Sequence, residues 1–304
     1  MRDAFIESLS KIAENDKDIF LITGDLGFGV LDNFAEKFPS QFLNVGVAEQ
    51  NMTGIATGLA LSGYKVFTYS IANFTTLRCL EQIRNDACYH NANVNVVSIG
   101  GGFGYGALGM SHHATEDLSI MRALPNLLVT APSSISEVKK LTRELYESSS
   151  PSYLRLDKSH AKGPKKASIE LGKALKIREG KDLTIISCGG ILDEAIKAAD
   201  LLEKEGIDLR ILSMHTIKPL DHHSIDAAVK ETGGIITLEE NNILGGLGSA
   251  VAEHCLTSNH IPNFFHRIGI NDEYSSIVGD QNFLRDYYKA VSYTHLTLPT
   301  ICSV

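Results

Sequence analysis

A single acid, Glu49, stands in the stretch "FLNVGVAEQNMTGIATGLALSGYKVF" between a short apolar run and a segment built mostly of Gly, Ala, Thr and Leu. An ionisable group in such surroundings is costly to bury unless it has a partner or a task. From the residues alone Glu49 is either a working acid or a carboxylate opening the helix expected over 48–61, where the helix dipole favours negative charge. Downstream, Arg78 and Arg84 can serve a phosphate or a salt bridge. The stretch "IGGGFGYGALGMSHHATED" then places five glycines between Ile99 and Leu108 and ends in the pair His112 and His113. Such a loop bends tightly and can approach a ligand. No third ligand has metal-binding spacing to the two histidines, so no metal is assigned to them. "LITGDLGFG" ends a strand in Asp25 and glycines, a position that in an α/β sheet opens onto the ligand crevice. Neither a P-loop nor a dinucleotide fingerprint is present.

These groups need a scaffold, and its rhythm is visible. Short β-branched runs ("DIFLITGD", "KVFTYS", "NVNVVSIGG", "NLLVTAP", "SYLRLD", "DLTIISCGG", "DLRILSMHTI", "GGIITLEE") alternate with amphipathic stretches such as "SISEVKKLTRELYESS" and "ILDEAIKAADLLEKEG". That alternation predicts an α/β fold with largely parallel sheets covered by helices, in two doubly wound domains. The N-terminal stretch "MRDAFIESLSKIAEN" reads as an amphipathic helix with Phe5, Ile6, Leu9, Ile12 and Ala13 on one face, and not as a secretion signal. The Lys- and Gly-rich stretch around Pro164 breaks the pattern, so the expected division is a first domain over 1–160, a linker over 161–175 and a second domain over 176–290. Residues 291–304, "VSYTHLTLPTICSV", carry no acid or lysine and read as a tail foreign to the protein.

The chain has 304 residues, 43% hydrophobic and 21% charged, with a net charge of −8. The acidic balance argues against a nucleic-acid or anionic-membrane partner, and the apolar runs are too short and glycine-rich to span a bilayer. Five cysteines without CxxC spacing read as reduced thiols of a cytoplasmic protein.

The stretch containing Glu49 resembles the pyrimidine-binding domain of the transketolase family of thiamine-diphosphate enzymes, and "IITLEENNILGGLGSAVAEH" resembles that family's C-terminal domain. The likeness runs over residues 1–290 and implies specific roles. Glu49 is the acid that engages the pyrimidine N1′ of thiamine diphosphate and favours the imino form of its 4′-amino group; a partly desolvated glutamate against an apolar wall suits that work. Tyr69 and Phe74 are the aromatics expected to hold the pyrimidine, the alternative being core packing. His112 is the substrate-side histidine donating to the carbonyl oxygen, with His113 as a second substrate contact or a loop histidine. Asp25 lies at the cofactor's edge. Arg155 matches an arginine that contacts substrate phosphate, or else forms a domain-interface ion pair. Gly54 and Gly58 share the helix face that in the family lies at the dimer interface. The glycines before Ser249 allow a strand-to-helix turn whose N-terminus can attract an anion or is simply structural.

The likeness has gaps. The family's upstream histidine and its acid before the Thr-His are replaced here by Gly100 and Gly101 and by Ala107 and Leu108. The Gly-Asp-Gly that binds the diphosphate through Mg²⁺ (or Ca²⁺) is missing, which implies an N-terminal partner subunit carrying it, in an α2β2 assembly with active sites between chains. The expected activity is transfer of a two-carbon ketol unit between sugar or sugar-phosphate substrates. Alternatives are the β-subunit of a 2-oxo-acid dehydrogenase, a 1-deoxyxylulose-5-phosphate synthase-like enzyme, and a non-catalytic scaffold subunit.

Overall fold

The computed structural model describes residues 1–163 and 168–290. Residues 164–167 of the expected linker, Pro164 included, and the tail 291–304 lie outside the described residues. Twelve described strands run β1 (Ile19–Thr23), β2 (Phe42–Asn44), β3 (Lys65–Ile71), β4 (Val94–Ile99), β5 (Leu128–Thr130), β6 (Ser152–Leu156), β7 (Leu175–Arg178), β8 (Leu183–Ser187), β9 (Leu209–Ser213), β10 (Thr216–Lys218), β11 (Ile235–Asn242) and β12 (Phe265–Ile270). They form two sheets, β10-β5-β6-β4-β3-β1-β2 and β12-β11-β8-β9-β7. All pairings are parallel except β10 with β5 and β7 with β9. Runs such as Val94–Ile99 are buried on both faces, as parallel strands between helical layers must be.

Helices cover both faces of the first sheet. On one side Phe5, Leu9 and Ala13 of the helix Arg2–Ala13 meet Phe34, Phe67, Val97 and Leu154. On the other, Met52 and Ala56 of the helix Glu49–Leu61 pack on Ile22, Val66 and Val96, and this core continues without a break into Ile186 and Leu212 of the second sheet and Val251 of the helix Leu247–Thr257. The expected run "DLRILSMHTI" is cut in two. β9 stays in the second sheet, while β10 crosses over and closes the edge of the first against β5, with Ala131 N–H donating to the His215 carbonyl at the crossing. The two sheets are therefore interlocked by backbone as well as by core.

Charge is buried at the same junction. Arg155, 2% exposed, stands next to last in β6 and reaches Asp117 (3.3 Å), Asp157 (3.1 Å) and the Glu240 carbonyl of β11 (2.8 Å). Asp157 in turn accepts from the Gly190 N–H of the second unit at 2.6 Å, and Glu240 accepts from Arg285 Nε at 2.6 Å and from the Phe103 N–H at 2.6 Å. The structure gives Arg155 the domain-interface role and leaves it no exposed face for a substrate phosphate. Arg155→Leu would strand Asp117 and Asp157 as buried acids without their cation. It is expected to cost about 3–5 kcal/mol of unfolding free energy, read by urea denaturation; a loss under about 1 kcal/mol would contradict this account.

His215 at the crossing is also fully buried, its Nδ1 3.0 Å from Thr216 Oγ1. Burial pushes its imidazole down from 6.5 to about 4, so the unfolded chain binds the proton first as the pH falls. Stability should therefore decline between about pH 6.5 and pH 4. His215→Leu is expected to remove a slope worth on the order of 3 kcal/mol across that window, measured as the difference between denaturation at pH 7 and at pH 4.

Candidate active site

The helix Glu49–Leu61 begins directly after the Gly46 turn, with Ala48 at its N-cap and no side-chain cap. Its first residue is turned inward, leaving Glu49 1% exposed. Gly24, at the end of β1, makes room for it: a Cβ there would come within 3.0 Å of Glu49 Cγ. Glu49 Oε2 accepts from Arg78 Nη1 at 2.7 Å, the arginine side chain being 41% exposed. The guanidinium lies over the Phe74 ring, 4.2 Å from its centroid, and Phe74 meets the His112 ring edge-on at 5.1 Å. The structure thus joins three of the expected residues, Glu49, Phe74 and His112, in one run of contacts, and the member that links them is Arg78. Of the two arginines left open in the sequence, Arg84 is exposed and bonds its neighbour Asn85 at 2.6 Å.

Two residues not singled out from sequence hold this cluster. Asn73 Nδ2 donates to the carbonyls of Ser111 (3.2 Å) and His113, pinning the turn Met110–His112 that carries His112. Tyr105, its ring covered by Lys158 Nζ at 3.7 Å, lies 6.5 Å from the His112 ring. Asn73 carried a signal only in its place beside Phe74, and Tyr105 only as the aromatic set between Gly104 and Gly106.

His112 is half-buried, and Ser111 Oγ lies 3.0 Å from its Nδ1. Burial, then the neighbouring His113 and Arg78, lower its pKa below the usual histidine value. A neutral imidazole whose Nδ1 accepts from Ser111 keeps its proton on Nε2, ready to donate.

The other expected residues lie elsewhere. Tyr69 points to the opposite face of β3, buried among Phe5, Leu9 and Phe34 and stacked on Phe5 at 6.1 Å. Side chains alternate along a strand, so Tyr69 cannot share a face with Val66 beneath the Glu49 helix. This is the core packing held open as its alternative. His113 is 3% exposed, with Nε2 donating to the Gly106 carbonyl at 3.0 Å, and it fastens the loop. Asp25 sits exposed on the rim with φ 58°, exchanging hydrogen bonds with the Asn44 amide at 3.0 and 3.2 Å. Arg155 is sealed in the junction described above.

The glycine-rich loop also proves to be shaped from within. A Cβ at Gly101 would fall 1.8 Å from Arg155 Nε, one at Gly102 2.5 Å from Glu240 Cγ, and one at Gly100 2.3 Å from the Tyr105 ring. No side chain fits at these positions, so the backbone is laid directly over buried ions. The later glycine turn is similar: the helix Leu247–Thr257 starts at Leu247, and the N–H groups of Leu247 and Gly248 both donate to Glu239 at 2.8 Å. The anion at that N-terminus is the chain's own, its carboxyl pushed up by burial to about 7. The four described cysteines are all buried and unpaired.

Two family models match the chain: the transketolase pyrimidine-binding domain over residues 1–164 and the transketolase C-terminal domain over residues 172–287. An apulose-4-phosphate transketolase subunit of Phocaeicola vulgatus is 39% identical over 90% of this chain and 88% of its own length. A 6-deoxy-6-sulfo-D-fructose transketolase subunit of Clostridium sp. is 33% identical over 95% of this chain and 89% of its own length. A solved structure described as a split gene transketolase, inactive beta4 tetramer, superimposes with a TM-score of 0.87 at 34% identity, covering 96% of this chain and 94% of that one. The chain belongs to the transketolase family of thiamine-diphosphate-dependent transferases, and it carries that family's pyrimidine-binding and C-terminal domains.

Proposed function

We propose that this chain is the catalytic-acid half of a two-subunit transketolase, moving a two-carbon ketol unit from a ketose or its phosphate to an aldose. In this proposal residues 1–160 form the pyrimidine-binding part and residues 176–290 support it. The observation that carries the reading is Glu49: a carboxyl buried at a helix start, with Gly24 cut away beside it and a half-buried aromatic, Phe74, one contact away. That donor set fits an aminopyrimidine, which needs an acid at one ring nitrogen and an apolar face. Thiamine diphosphate, when bound, supplies the nucleophilic carbon that carries the transferred unit. Glu49 holds the proton at the pyrimidine N1′, and Phe74 offers its face to the ring. To do so, Glu49 must exchange the Arg78 guanidinium for the ring nitrogen. His112, neutral and donating from Nε2, stabilises negative charge on the substrate oxygen.

The diphosphate and its Mg²⁺ (or Ca²⁺) fall to an N-terminal partner subunit, because the chain has no Gly-Asp-Gly to bind them. Support for a docking face comes from apolar side chains left in water around the site: Phe28 (74% exposed), Val47 (75%), Leu77, Leu108 and Met110. The helix Glu49–Leu61 turns Gly54 and Gly58 outward, where a Cβ on either would meet open space. A second copy or the partner chain can approach the backbone closely there. The relative described as an inactive beta4 tetramer supports self-association without the partner and without turnover.

The decisive experiment is ketol transfer with thiamine diphosphate and Mg²⁺, using the chain alone and mixed with a diphosphate-binding subunit. Activity is expected only in the mixture, and Glu49→Gln should lower kcat/KM by about 10²–10⁴-fold while the two subunits still associate. Turnover by the chain alone, or full activity of the variant mixture, would overturn the proposal. Gly58→Leu separates the interface from the fold. It removes a helix glycine and should raise the stability of the isolated chain by up to about 1 kcal/mol, yet sedimentation should show weakened assembly.

A further inference from the structure

Far along the chain from Glu49, three side chains from separate segments converge on one point. Asp226 lies on the helix His222–Glu231, His254 on the helix Leu247–Thr257, and His260 just beyond the latter's end. Asp226 Oδ1 is 2.8 Å from His254 Nε2 and 2.6 Å from His260 Nδ1. All three donor atoms lie within 4.8 Å of one another, and among the described residues this is the one group of three His, Cys, Asp or Glu donors so placed.

The placement is built into the backbone. Asn259 takes the left-handed conformation (φ 57°) and the His260 N–H closes onto the Cys255 carbonyl at 3.0 Å. That is the helix-ending turn in which the second residue past the cap folds back over the last turn, and it swings His260 toward His254. The His254 ring is fixed from its other side by His222, stacked at 4.1 Å with an interplanar angle of 10°. His222 and Asp226 are four residues apart on one helix, so they share a face. The nearby acid Glu253 is already held by a two-pronged contact from Arg122 (2.7 and 2.8 Å), leaving Asp226 as the carboxylate of the cluster.

We propose that Asp226, His254 and His260 form a binding site for a divalent cation of the zinc class, which ties the end of one helix to the face of the other. Two imidazole nitrogens and one carboxylate oxygen suit Zn²⁺, Co²⁺ or Ni²⁺ and not Mg²⁺, which prefers oxygen ligands and retains water. In a tetrahedral site with bonds near 2.0–2.1 Å the donor atoms sit roughly 3.3 Å apart. The present hydrogen bonds therefore need only open by well under an ångström. The Asp226, His254 and His260 side chains are 26%, 10% and 34% exposed, so a cation enters from solvent and water completes its shell. This cation is distinct from the one that accompanies a diphosphate, and its site is independent of the transferase reading.

The test uses the full chain, freed of metal by chelation and titrated with Zn²⁺ by calorimetry and with Co²⁺ by visible absorption. One site per chain in the micromolar range or tighter is expected, with a Co²⁺ ligand-field spectrum and no displacement by excess Mg²⁺. Asp226→Asn, nearly isosteric, and His260→Ala, in a loop, should each weaken Zn²⁺ at least about tenfold, the scale seen even for changes outside the ligand shell, with unchanged circular dichroism. Zn²⁺ should raise the melting temperature of the parent chain and not of His260→Ala. Absence of saturable binding, parent-like affinity in either variant, or displacement by Mg²⁺ would overturn the proposal.

Discussion

A guanidinium sealed from water is tolerable only when carboxylates and carbonyls close around it, and Arg155 gathers that shell from both sheets. Asp117 and Asp157 come from the first unit, the Glu240 carbonyl from the second, and Glu240 itself is held by Arg285. Much else follows from that knot. The loop after β4 can pass over it only as bare backbone, hence Gly101 and Gly102, and Glu240 also holds the Phe103 N–H. That loop ends in the turn carrying His112, which Asn73 pins from the opposite side. His112 is thus positioned by ions it never touches.

The site has a second constraint of the same kind. Glu49 is withdrawn from water, and a lone buried acid is costly, so the chain supplies Arg78 and spreads its guanidinium on Phe74. Residues suited to hold a ring are meanwhile holding each other. In the proposed function, a ring nitrogen would take the place of Arg78 as the partner of Glu49, leaving the carboxyl satisfied before and after.

Alternating hydrophobic runs and helix periods made the α/β architecture legible, because each buried parallel strand must be apolar throughout. Glu49 was legible for a related reason: it is the one acid between a strand and a small-residue helix. What escaped depends on contacts between segments distant in sequence. β2, β7 and β12 are short or partly polar edge elements, and nothing in "DLRILSMHTI" marks the point where the chain leaves one sheet for the other. Tyr69 and Phe74 look alike as aromatics near a strand end, yet strand alternation sends Tyr69 to the opposite face, while Phe74 lies beyond the strand in a short helix. Arg155 is a polar residue whose partners lie across the fold, His113 turns back on its own loop at Gly106, and the glycines Gly101 and Gly102 cover buried ions. The Asp226, His254 and His260 cluster has no motif spacing, since two helices and the turn after the second assemble it.

The antiparallel β10 has a consequence for synthesis. The first sheet draws six strands from the first half of the chain, but its outer edge at β5 is closed by residues 216–218. A ribosome must therefore translate well into the second sheet before the first is finished. Until then β5 presents unpaired backbone groups, the kind of open edge to which another chain can add a strand. The nascent protein is most vulnerable to mispairing in that interval, and a chaperone or an already folded subunit that shields β5 would act there before any active site exists.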